Sequence, residues 1–155
     1  MNTKALLLVL AVCLATASAS FAANANMGKW ELDATKTQTK QGMGKSMTIT
    51  YSRVFLFRIK VTIEGMDAKG APFHNEWVGR FDGRDYPVTG DPNSDMRSYT
   101  KVDSHTLSFS MKKAGRVVAS GKIVVAPDGS LRTVKASTIT PKGRMVRSAA
   151  VCGLQ

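Results

Sequence analysis

The chain is poor in the residues that build covalent or metal-based scaffolds. Its 155 residues include two cysteines and two histidines, too few for a disulfide-stapled domain or a histidine-rich metal centre. A single long apolar run, from Ala5 to Ala15, excludes a multi-pass membrane protein. Acidic residues are scarce, at 11 against 22 lysines and arginines, which makes the formal charge +11. With 43% hydrophobic residues, the composition is typical of a single globular domain.

The first 22 residues have the pattern of a secretory signal peptide. Lys4 supplies the positive start, the apolar run follows, and Ser20-Phe21-Ala22 provides the small residues of a cleavage site. The run is shorter than the roughly 20 residues that a transmembrane anchor needs. We therefore predict cleavage after Ala22 and export of a mature domain, residues 23–155, with 21 basic and 11 acidic side chains.

Export also bears on the cysteines. A lipoprotein signal, in which a lipid is attached to Cys13, is the less favoured alternative to cleavage after Ala22. Val12 stands where a lipoprotein signal has a small residue. Cleavage leaves Cys152 as the one thiol of the mature chain, so we expect no intramolecular disulfide and an inert side chain. Small secreted eukaryotic domains are usually richer in disulfides, which favours the periplasm over the extracellular space of a eukaryote.

Alternation of apolar and polar residues dominates the mature chain and predicts half-buried β-strands. The clearest stretch runs from Phe55 to Ile63, with apolar residues at the odd positions. A second runs from Phe73 to Phe81, also with its odd positions inward. Further strands follow, whose predicted inward residues are Ser98, Thr100, Leu107, Phe109, Met111, Ala119 and Gly121.

About eight or nine strands follow one another with short turns between them. Short turns allow only antiparallel neighbours, because parallel pairs need long crossovers. A meander of this size avoids exposed edges by closing on itself. We predict an all-β, up-and-down barrel, and the order of the hairpins leaves a sandwich open as the alternative.

The start of the first strand carries a Gly-x-Trp motif, Gly28-Lys29-Trp30. This motif and the meander resemble the lipocalin and fatty-acid-binding-protein group, the calycin barrels. The resemblance implies that Trp30 plugs one end of the barrel under a basic side chain from late in the chain, Arg147 or alternatively Arg144. The chain has no evident C-terminal helix, no disulfide and no helix pair after the first strand, so the resemblance concerns architecture rather than a particular ligand.

A barrel of about eight strands is either filled by side chains or holds one small ligand. Large inward residues on one wall and small ones on the other fit a cavity as well as interdigitated packing. If the interior is hollow, we expect a small hydrophobic or amphipathic ligand. Its predicted contacts are Phe55, Phe57, Ile59, Asn75, Trp77, Phe81, Phe109 and Met111.

The positive charge supports an alternative function. An interaction or inhibitor module with a packed core could bind anionic membrane surfaces or acidic proteins through its basic surface. Nucleic acid is not expected as a partner, because the aromatic residues fall mostly in the apolar phase of the strands rather than among exposed basic residues.

Catalytic patterns are few, and we predict no catalytic residue, no metal and no cofactor. His74 and Glu76 share one face of a strand and could form an acid–base pair. The alternation of this strand places its apolar residues inside, so we expect the face with His74 and Glu76 to point outward. Asp103-Ser104-His105 occupies a turn, where aspartate and serine are common. The loop with Asp91, Asn93 and Asp95 lacks the later glycine and glutamate of a calcium-binding loop.

Overall fold

A computed structural model describes residues 24–37 and 44–155, and these residues form one closed antiparallel β-barrel. Each strand pairs with its neighbours in sequence, and β1 also pairs with β10. The predicted signal peptide and Cys13 lie outside the described residues. The ten strands are β1 (Gly28–Leu32), β2 (Ser46–Val54), β3 (Arg58–Met66), β4 (Pro72–Gly79), β5 (Tyr86–Thr89), β6 (Met96–Lys101), β7 (Thr106–Lys113), β8 (Arg116–Val125), β9 (Leu131–Ile139) and β10 (Met145–Leu154).

The strand count exceeds the predicted eight or nine because the β2–β3 hairpin contains no common turn residue. Val54 pairs with Arg58, so Phe55, Leu56 and Phe57 form the tight turn between two strands. The prediction that Phe55 and Phe57 point into the barrel is wrong: their side chains are 82% and 90% exposed. Apolar residues in such a turn continue the alternation of the strands beside it, and this hid the boundary.

For most strands the prediction of which alternate residues face the interior is correct, but for β6 it is wrong. Val61 in β3, Trp77 in β4 and Leu107 in β7 are buried, as the alternation indicated. In β6 the buried interior positions are Arg97 and Tyr99, whereas Thr100 is exposed. An arginine counts as an outward residue in a hydropathy pattern, and here it lies inside because an acidic partner neutralises it.

The two ends of the barrel differ. The turns after β2, β4, β6 and β8 lie at one end, which we name the closed end, and the connections after the odd-numbered strands lie at the other, the open end. At the closed end, residues 24–27 cross to the β6–β7 turn, where the Ala25 backbone N–H donates to the Ser104 carbonyl at 3.0 Å. Trp30 is fully buried beneath this segment, and its Nε1 donates to the Asn26 carbonyl at 3.0 Å.

No helix in the described ranges is long and apolar enough to cross a membrane.

Candidate ligand-binding site

The interior of the barrel contains a cavity of about 270 Å³. Its volume lies just below the range of roughly 300–1,000 Å³ that is usual for small-molecule sites, so its ligand is small. Residues from the open-end halves of several strands and the β5–β6 loop line it. The apolar lining residues are Met47, Ile49, Ile63, Phe109, Met111, Ile123, Val134 and Ala150, and the polar ones are Tyr51, Asn75, Asp91, Arg97, Tyr99, Arg132 and Ser148.

Arg132 lies at the deep side of this cavity. Its side chain is 1% exposed, and its guanidinium carbon lies 4.6 Å from the ring centre of Tyr51 and 5.7 Å from that of Trp30. Nη2 donates to the Tyr51 hydroxyl at 2.7 Å. Its Nε and Nη1 groups are buried and have no hydrogen-bond partner among the described residues.

The charge of Arg132 has no acidic counterpart. Among the residues that the structure describes, no carboxylate comes within ion-pair distance of it. Residues 1–23 and 38–43 contain no aspartate or glutamate at all. A buried charge without a partner is costly, and contact with two aromatic faces only partly compensates it. The cavity therefore has an unneutralised positive charge at its floor.

Arg97 lies nearer the open end and differs from Arg132 because it is paired. Its Nη2 lies 3.2 Å from Asp91 Oδ2 and donates to Asn75 Oδ1 at 3.4 Å. Asp91 also accepts hydrogen bonds from the Ser94 hydroxyl and, at 2.9 Å, from the Asn93 backbone N–H. The β5–β6 loop thus supplies a carboxylate that holds Arg97 against the cavity wall, where its Nε and Nη1 still lack partners in the described chain.

Aromatic rings pack behind the cavity. The rings of Trp77 and Tyr99 meet edge to face at 4.8 Å, and Phe81 stacks on Trp77 at 6.3 Å. Trp77 Nε1 donates to the Arg97 carbonyl at 2.8 Å, which satisfies the one polar group of the indole. Burial raises the pKa of the Tyr51 hydroxyl, so it stays protonated and neutral beside Arg132.

The predicted contact residues separate into three groups. Asn75, Phe109 and Met111 line the cavity. Ile59, Trp77 and Phe81 belong to the packed core without lining it, and Phe55 and Phe57 lie on the outside.

The basic residue over Trp30 is Arg132, and the assignment of this place to Arg147 or Arg144 is wrong. Both of those side chains are exposed. In β10 the buried residues are Ala150 and Cys152, and alternation along the strand turns Arg147 to the outer surface. Arg132 belongs to β9, whose phase the sequence left uncertain. The sequence does contain a clue to this placement. Arg132 alternates with Val134 and Ala136, so the three side chains share one face of β9, and the apolar residues among them indicate that this face is the inner one.

The two candidate sites that contain histidine lie outside the cavity. His74 and Glu76 are on the outer face, with 3.3 Å between Nε2 and Oε1, and Lys60 pairs with Glu76 at 2.7 Å. The hydrogen bond from Lys60 lowers the pKa of Glu76. Asp103 accepts the backbone N–H groups of His105 and Thr106 at 2.8 and 2.7 Å, which makes it a turn residue. Within residues 24–37 and 44–155 no cluster of histidine, cysteine and acidic residues could hold a metal ion.

Comparisons with known proteins show no family for this chain. No protein-family model matches it, and no curated protein is significantly similar. Among solved structures, it is similar to a redesigned β-barrel, mFAP1, bound to DFHBI, with 13% identity over 86% of this chain and 98% of that one, at a TM-score of 0.45. It is also similar to EF1p2_mFAP2b bound to DFHBI, with 10% identity, 84% and 94% coverage and a TM-score of 0.47. A third similar structure is a de novo designed fluorescence-activating β-barrel, with 12% identity, 86% and 97% coverage and a TM-score of 0.42. The calycin resemblance stays a prediction of the Gly28-Lys29-Trp30 motif and the meander.

Proposed function

We propose that the protein binds a small amphipathic molecule inside the barrel, with an apolar body and an anionic head. The observation that carries this proposal is Arg132, a buried cation at the floor of the cavity with two unpaired N–H groups and no carboxylate partner. An arginine in this state is suited to a carboxylate or sulfonate, whose oxygens accept charge-assisted hydrogen bonds from the guanidinium.

The rest of the lining fits the body of such a ligand. Eight of the lining residues are apolar and surround the space between Arg132 and the open end. A purely apolar ligand would leave the charge of Arg132 uncompensated, and a fully polar one would lose the contacts with the apolar wall. The cavity also favours this function over a module that has a packed core.

Export is part of the proposal. Residues 1–22 carry the signal-peptide pattern, and the proposed setting is the periplasm or the extracellular space. The intact mass of protein recovered from the exported fraction should correspond to a chain beginning at Ala23, whereas a full-length chain in the cytosol would contradict export.

A pair of fluorescent probes tests the role of the charge. Anilinonaphthalene sulfonate and N-phenylnaphthylamine share one apolar skeleton, and only the first carries an anion. Because hydrogen bonds to a charged group contribute about 1.5–3 kcal/mol, we expect the protein to bind the sulfonate at least about tenfold more tightly. Arg132→Met should remove this preference while binding of the neutral probe persists.

The matched control is Lys135→Met, on the same strand but exposed, which should preserve both affinities. Equal affinity of the unmodified protein for the two probes, or an unchanged preference in Arg132→Met, would contradict the anion site.

A second pair of variants locates binding in the lumen. Phe109 lines the cavity, so Phe109→Ala should change the affinity for both probes. Phe57 is exposed at the closed end, so Phe57→Ala should leave both affinities unchanged. The opposite result would place the probes on the surface. Native mass spectrometry and organic extraction of the purified protein then identify the molecule that it carries.

A further inference from the structure

The β2–β3 turn presents three consecutive large apolar residues to solvent. Phe55 is 82% exposed, Leu56 59% and Phe57 90%, and we name these three residues the hydrophobic tip. Exposed apolar residues that occur singly are ordinary, but a contiguous cluster on a soluble domain marks an interaction surface. The tip projects from the closed end, away from the mouth of the cavity.

The backbone of the tip is in an unfavourable conformation for its residues. Leu56 and Phe57 have φ angles of 55° and 62°, and the Arg58 N–H donates to the Phe55 carbonyl at 3.4 Å. A turn whose two central residues are both left-handed favours Asn-Gly at those positions. Bulky residues at both positions are strained, and such strain is found mainly where function needs the side chains.

Three arginines lie beside the tip. Arg53 and Arg58 flank it and are exposed, and neither pairs with a carboxylate in the described ranges. Ile59 pairs with Gly79, so Arg80 continues β4 beside Arg58 at the same end.

The geometry points to an anionic lipid bilayer as the partner of this surface. Aromatic and aliphatic side chains on a projecting turn can enter the boundary between headgroups and acyl chains, while arginines at its base meet anionic headgroups. We propose that the hydrophobic tip inserts into such a membrane and that Arg53, Arg58 and Arg80 hold the closed end against it. This attachment is independent of ligand binding in the lumen, whose mouth then faces the aqueous phase.

Sedimentation with vesicles tests the proposal. The protein should sediment with vesicles of phosphatidylcholine and phosphatidylglycerol in equal parts, and about tenfold or more weakly with phosphatidylcholine alone. Phe55→Ser combined with Phe57→Ser should reduce binding to the mixed vesicles about tenfold or more. Arg53→Gln combined with Arg58→Gln should remove the preference for the anionic lipid.

The matched control uses exposed valines on the outer wall. Val117 and Val124 of β8 are 44% and 43% exposed, and Val117→Ser combined with Val124→Ser should leave vesicle binding unchanged. Replacement of Leu56 and Phe57 by Asn and Gly supplies a well-folded turn without the apolar side chains, and this variant should also lose binding.

Three outcomes would overturn the proposal. They are the absence of the unmodified protein from the vesicle pellet, equal binding after loss of the tip phenylalanines, and a dimer in solution that depends on the tip without any binding to vesicles.

Discussion

At the scale of single residues, Arg132 and Cys152 show how burial changes the chemistry of a side chain. They face each other across the β9–β10 pair and are 1% and 0% exposed. Burial raises the pKa of the Cys152 thiol above its ordinary value of 9.0, although the positive charge of Arg132 acts in the opposite direction. The thiol is therefore a neutral core group rather than a nucleophile.

This predicts the reactivity of Cys152 and its contribution to stability as pH changes. Labelling by Ellman's reagent should be slow in the folded protein and fast in denaturant. Because the thiol pKa is raised in the folded state, its contribution to stability is complete below the ordinary thiol pKa and is lost as pH rises through the folded value.

The alkaline loss of stability that begins near pH 9 should therefore be smaller in Cys152→Ala than in the unmodified protein, as measured by denaturant unfolding. Rapid labelling of the folded protein, or identical pH profiles for the two proteins, would contradict a buried neutral thiol.

At the scale of elements, the β2–β3 hairpin shows where sequence patterns fail. The alternation correctly placed Val61 and Ile63 on the inner face of β3 but continued through Phe55 and Phe57, because nothing in Phe-Leu-Phe resembles a turn. The Asp128-Gly129 turn and the Gly70 and Gly115 turns were predictable, since glycine readily takes the positive φ angles found there. Turn chemistry is readable only where the chain uses the residues that the turn favours.

The hairpin also yields a prediction about stability. Replacing Leu56 and Phe57 by Asn and Gly should raise the free energy of unfolding by at least about 1–3 kcal/mol, which is the cost of holding one bulky residue in the left-handed region. Urea or guanidinium titration measures the change. Phe55→Ser, outside the two left-handed positions, serves as the control and should have a much smaller effect. An unchanged or lowered stability of the Asn-Gly variant would show that the turn is not strained.

At the scale of the whole molecule, the barrel separates two surfaces. The cavity opens between the connections that follow odd-numbered strands, and the hydrophobic tip lies at the opposite end. A protein attached through the closed end can therefore exchange a ligand with the aqueous phase. Its excess of basic residues, 22 against 11 acidic ones, favours approach to any anionic surface, whereas the apolar tip determines which end makes contact.

This separation predicts the orientation of the protein on a membrane. An environment-sensitive fluorophore attached through Phe57→Cys, with Cys152→Ala to remove the native thiol, should shift its emission to the blue when anionic vesicles are added. The same fluorophore at Lys142→Cys, in the exposed β9–β10 turn, should not shift. A shift at both positions, or at Lys142 alone, would contradict attachment by the closed end.

The sequence by itself determined the antiparallel meander and the inward phase of most strands, because alternation and short turns are local properties. The tertiary structure decided what depends on residues far apart in the chain. β1 and β10 close the barrel, Arg132 rather than Arg147 lies over Trp30, and Arg97 turns inward toward Asp91. The volume of the lumen depends on the sizes of the side chains that meet across the barrel. Which side chains meet is determined only when the strand register and the closure of the barrel bring its walls together.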